Sequence, residues 1–174
     1  MKRQVTLPLG VVMERRRIDH PWKDYRWSVV SVFPGAEPCD PKGAWPRLRS
    51  DEDSVSYHAG TLPLGLHATE SGDYKLNLAQ KPPKIWVVLR PFEDLEGDRE
   101  LVPFHVSACP TEAQDYLDGD EQVDVVAMPD PVADLIRSFV DEHHVDRVFV
   151  KRKRKRYVPP DEAGGPPRAS GGGG

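Results

Sequence analysis

Long apolar runs are missing from this 174-residue chain, and no stretch approaches the roughly eighteen residues that a membrane-spanning helix needs. The opening, Met1-Lys2-Arg3-Gln4-Val5-Thr6-Leu7-Pro8, is charged but lacks the apolar segment of a secretion signal. Arg15-Arg16-Arg17 precedes Ile18-Asp19-His20-Pro21, where a twin-arginine export signal would turn apolar. Cysteine is scarce: Cys39 and Cys109 suit a reducing compartment and cannot build a disulfide framework. These absences predict a cytoplasmic protein with no membrane span. Catalytic signatures are missing as well. There is no glycine-rich phosphate loop between a strand and a helix, no His-Glu-x-x-His, no Gly-x-Ser-x-Gly and no Cys-x-x-Cys. No cofactor, metal site or catalytic residue is therefore assigned, and a binding or accessory role is favoured over an enzyme.

What is plentiful is proline, at eighteen residues, and glycine, at fourteen, which predicts short elements and many turns. With 38% hydrophobic and 30% charged residues the chain is globular in composition, and its length suits one domain. Seven strands are read over residues 5–17, 25–33, 55–66, 74–78, 85–89, 101–108 and 122–128, from apolar and β-branched patterning. Lys84-Ile85-Trp86-Val87-Val88-Leu89-Arg90 is the most continuous apolar run, which places it centrally in the sheet. Residues 34–53, with Pro34, Gly35, Pro38, Pro41 and Gly43, read as a long surface insertion.

Two helices complete the pattern. One covers 111–117, with Pro110 in its first turn and Gly119 as a stop. The other starts at Asp130 as cap with Pro131 following, and carries a stripe of Val132, Leu135, Ile136, Phe139 and Val140 that should close the core. The expected fold class is α+β: a curved antiparallel sheet or partial barrel of about seven strands with a C-terminal amphipathic helix. A single domain over 4–158 would be followed by a disordered Pro/Gly-rich tail over 159–174. Thr6-Leu7-Pro8-Leu9-Gly10 recurs as Thr61-Leu62-Pro63-Leu64-Gly65, which reads as two strands with similar bends rather than a duplication, since the flanks do not match.

Charge is unevenly spread. Residues 111–146 hold eleven acids and one base, Arg137, and the next ten residues hold seven bases and no acid. Lys151-Arg152-Lys153-Arg154-Lys155-Arg156 could grip an acidic protein surface or phosphates, or could simply be solvated. Nucleic acid is disfavoured because the acidic body would repel it and no recognition signature accompanies the run. The densest cluster of amphipathic side chains is His20-Pro21-Trp22-Lys23-Asp24-Tyr25-Arg26-Trp27. Trp27 lies on a strand and is assigned to the core, whereas Trp22 could face either way. Trp22, Lys23 and Arg26, with Lys151, Arg152, Lys153, Arg154, Lys155 and Arg156, form the candidate partner-binding set. His58, His67, His105 and Cys109 lack the paired spacing of a zinc site and read as structural, and His143-His144 as complements to a helix dipole. Cys109, just before Pro110 at a helix start, is the one candidate nucleophile, although a buried inert thiol is favoured.

Pro8-Leu9-Gly10-Val11-Val12-Met13-Glu14-Arg15-Arg16, then Pro21-Trp22, Arg26-Trp27 and Phe33-Pro34-Gly35, resembles the opening of a proteobacterial family of unknown function. Residues 84–90, Pro110-Thr111-Glu112-Ala113, Met128-Pro129 and Phe149-Val150-Lys151-Arg152-Lys153-Arg154 extend the resemblance over about residues 5–156. Members are encoded near molybdenum-dependent formate dehydrogenases and their maturation genes. The resemblance implies an accessory protein that contacts a formate dehydrogenase subunit or maturation factor. Some members carry a label for molybdenum-cofactor nucleotide attachment, but Pro-Leu-Gly-Val-Val cannot cradle phosphates as that chemistry requires. Two alternatives stand beside docking: an enzyme of cofactor or sulfur handling, and nucleic-acid binding through the basic run.

Overall fold

The computed structural model describes residues 3–95 and 97–144. Four strands precede the first α-helix, and the elements run β1 (Gln4–Arg17), β2 (Tyr25–Pro34), β3 (Arg47–Ser50), β4 (Ser54–His67), α1 (Ser71–Leu78), β5 (Lys84–Pro91), β6 (Leu101–Ser107), α2 (Pro110–Asp118), β7 (Gln122–Ala127) and α3 (Asp130–His143). The fold is α+β. Its strands form two open antiparallel sheets, ordered β2-β1-β4-β3 and β6-β5-β7. The sheets adjoin along two seams, β4 with β6 and β2 with β7.

Alternation explains how the sheets enclose one core. Leu9, Val11 and Met13 turn one face of β1 inward, and Trp27, Val29 and Val32 do the same for β2. As its apolar run requires, β5 is central, with Ile85, Val87, Val88 and Leu89 all buried. Val132, Ile136, Phe139 and Val140 of α3 complete the core, and α3 packs against α1.

Among the described residues there are seven strands, but not the seven read from the sequence. Residues 74–78 belong to a helix, because Ser71, Tyr74 and Asn77 repeat every three residues and all three are buried. The missed strand, β3, lies inside the 34–53 insertion and is exposed at all four positions, so no alternation reveals it. In α3, Pro129 rather than Asp130 holds the N-cap position, and Leu135 lies outside the buried stripe. The proposed tail over 159–174 lies outside the described residues.

The repeated pentapeptides pair with each other. Pro8 stands opposite Pro63, Leu7 opposite Leu64 and Leu9 opposite Leu62, so Thr6–Gly10 and Thr61–Gly65 run antiparallel about the proline pair. The Pro8 carbonyl accepts the Gly35 N–H, so its main-chain groups point away from β4, and those of Pro63 point away from β1. Neither proline therefore costs a β1–β4 hydrogen bond, which is how both are tolerated within long strands.

Candidate protein-docking site

The β1–β2 hairpin projects a tip over residues 18–24. At that tip Trp22 is 85% exposed. Its backbone N–H donates to His20 Nδ1 at 3.1 Å, and the two rings meet edge to face with centroids 5.5 Å apart. The ring is thus presented by a local turn. Lys23 Nζ lies 3.9 Å from Glu100 Oε1 on the neighbouring 92–100 loop, and Arg26 has no ion-pair partner among the described residues.

Trp27 is buried, as its strand position predicts, and its Nε1–H donates to the Asp98 carbonyl at 3.1 Å. Around it Trp45 and Tyr57 pack with centroids 5.8 Å from Trp27 in both cases. Arg99 lies 4.8 Å from the Trp45 centroid and 4.9 Å from that of Phe92. It also pairs with Asp94 at 2.8 Å and donates to the Gly43 carbonyl at 2.6 Å. Arg15 is 2.8 Å from Asp98 and lies over the Tyr25 ring at 4.3 Å. These bonds tie the insertion, the hairpin and the 92–100 loop into one platform. The same loop carries Leu95, which is 88% exposed.

The hairpin part of the predicted set, Trp22, Lys23 and Arg26, therefore lies together at the β1–β2 hairpin. The other six, Lys151, Arg152, Lys153, Arg154, Lys155 and Arg156, lie outside the described residues. Sequence reasoning missed Leu95, Trp45 and Arg99. Trp45 sits among the prolines and glycines of the insertion, and nothing in spacing links it to Arg99.

The candidate residues for chemistry are bound into the scaffold. Cys109 is 2% exposed, and desolvation pushes its thiol up to about 11 against an ordinary 9.0, the reverse of an activated nucleophile. His105 Nε2 is 3.0 Å from Glu112 Oε2, and that hydrogen bond chiefly holds the Glu112 carboxyl below its usual range. His58 Nε2 is 2.9 Å from Thr61 Oγ1, and His144 Nδ1 is 3.1 Å from Ser71 Oγ. Among the described residues no three His, Cys, Asp or Glu side chains converge as a metal site. No described helix is long and apolar enough to cross a membrane.

No curated protein and no solved structure matches the chain. A family model does match, over residues 8–155, and it spans both the platform and most of the basic run. The chain belongs to that family, DUF3305, described as a protein of unknown function.

Proposed function

We propose that the chain is a non-catalytic docking protein whose partner is a subunit or maturation factor of a molybdenum-dependent formate dehydrogenase. The observation that carries the docking reading is Trp22, an 85% exposed tryptophan held out by His20 on a hairpin tip. Large aromatics are the commonest energetic anchors of protein interfaces, and one left in water is an apolar area available for burial. Lys23, Arg26 and the run from Lys151 to Arg156 add positive charge that suits an acidic partner surface. The family resemblance supports the choice of partner.

Affinity purification of the tagged chain tests the reading. The Trp22→Ala chain should melt as the unsubstituted chain does, because the ring supports no core. Its capture of the dehydrogenase component should fall by roughly thirtyfold, as expected of an interface anchor worth about 2 kcal/mol. Undiminished capture by Trp22→Ala, or no dehydrogenase component recovered where that enzyme is expressed, would refute it. The buried thiol disfavours the sulfur-handling alternative, so Cys109→Ser should leave formate dehydrogenase activity in cells unchanged. Loss of that activity without loss of the folded chain would reverse the order of the two readings.

A further inference from the structure

We infer that the free edge of β2 at Tyr25 and Trp27 accepts an extended partner segment as an added strand, with an apolar side chain entering a cavity beside it. This deepens the docking reading and rests on it. The argument begins with main-chain direction. Arg17 donates its N–H to the Asp53 carbonyl, away from β2, and Ile18 donates to the Asp24 carbonyl, towards it. Antiparallel alternation then makes Arg17–Tyr25 and Arg15–Trp27 the pairs without mutual hydrogen bonds. The N–H and C=O groups of Tyr25 and Trp27 therefore point outward from β1, and among the described residues β2 has no other laddered neighbour.

The same edge is closed one step further along. The Val29 N–H donates to Asp124 Oδ2 of β7 at 2.9 Å, so a carboxylate stands where a neighbouring strand would bond. No such partner meets the Tyr25 and Trp27 main chain among the described residues, although the Trp27 residue is only 5% exposed. Main-chain polar groups in so sheltered a place are normally paired. An unpaired edge is a template for β-strand addition.

Beside that edge lies a cavity of about 320 Å³, reaching the starts of β6 and β7. Ile18, Trp27 and Leu101 give it apolar walls, and His20, Lys23 and Arg26 line it with bases against the single acid Glu100. The occupant with matching chemistry is a protein segment in extended conformation that carries an apolar residue next to carboxylates. Trp22, on the same hairpin, would cover the segment from the tip.

Two measurements on the full chain test this. Hydrogen exchange reads the edge directly: in the free protein the Tyr25 and Trp27 amides should exchange fast, while Val29 and Arg26 stay protected. Strong protection of Trp27 in the free chain, by its own residues or by a second copy in a solution dimer, would overturn the inference. The binding probe is a display library of extended decapeptides that alternate apolar and acidic residues. It is panned on the unsubstituted chain and on Tyr25→Ala and Tyr25→Pro. Proline is tolerated at the first position of an edge strand and deletes only the outward N–H, whereas alanine deletes the ring and keeps it. Enriched peptides should bind Tyr25→Pro about tenfold more weakly than Tyr25→Ala, the effect of one lost hydrogen bond. Equal binding to both variants, or no enrichment at all, would also overturn it. Failure here, with partner capture still dependent on Trp22, leaves the docking reading intact. Enrichment without recovery of a dehydrogenase component removes only that choice of partner.

Discussion

Asn77 shows how much one polar side chain can organise when it is fully buried. Its Nδ2 donates to the Lys84 carbonyl at 2.8 Å and to the Ala108 carbonyl at 3.0 Å, and its Oδ1 accepts the Lys84 N–H at 2.8 Å. One amide thereby fastens α1 to the start of β5 and to the end of β6. Asn77→Leu keeps the branched shape and the number of side-chain heavy atoms but leaves three main-chain groups without partners. We expect a loss of about 2–4 kcal/mol, read by urea denaturation, since each buried unpaired group costs roughly 1–3 kcal/mol. A loss below 1 kcal/mol would mean that water replaces the amide. Gly60 is constrained in a different way. Its φ is +136°, and a Cβ there would lie 2.7 Å from Pro41 Cγ, so the insertion can pack on β4 only over a residue without a side chain.

At the scale of the element, α2 is held to β6 by a side-chain hydrogen bond as well as by packing. His105 and Glu112 join the two, and hydrogen bonding keeps the folded Glu112 pKa below its ordinary 4.5. A depressed folded value means that the carboxylate stabilises the fold above the ordinary value, and that this contribution is lost as pH falls through the folded one. Melting temperature should therefore drop on the acid side of that value, and Glu112→Gln should flatten the limb. The amplitude is modest because Glu112 is 36% exposed. An unchanged limb would assign acid sensitivity to other carboxylates.

Elements were legible where burial imposed a period. The apolar and β-branched segments of β1, β2 and β4, the continuous run of β5 and the stripe of α3 all declare themselves. Legibility failed where partners lay far away in sequence. Tyr74, Lys75 and Leu76 look strand-like until one knows that the Tyr74 hydroxyl meets both the His67 N–H and Glu70. β3 is a strand only because β4 offers it an edge. The candidate site divides in the same way. Trp22, Lys23 and Arg26 are visible as a local cluster, whereas the Lys23–Glu100 pair and the Arg99 bond to the Gly43 carbonyl are tertiary contacts that no local pattern encodes.

For the whole molecule, net charge misleads. The chain carries −4 overall, yet the hairpin end and the run from Lys151 to Arg156 are basic. If capture of an acidic partner uses long-range attraction, replacing all six residues of that run with glutamine should weaken capture at low salt and have little effect at high salt, where the Debye length is about 3 Å at 1 M. Equal loss at both salt concentrations would point to direct, desolvated contacts instead.

The facing pentapeptides have a consequence for assembly. Rotation about the Pro8–Pro63 pair exchanges Leu9 with Leu64, both wholly buried, and Leu7 with Leu62, both partly buried, so the two segments are chemically interchangeable. During synthesis or refolding, the Thr6–Gly10 strand of one molecule can thus meet its counterpart in another and find the pairing it would have made at home. Such self-recognition invites strand exchange between nascent copies. The two prolines weaken any further pairing at that point, since neither has an N–H to offer on its outer side.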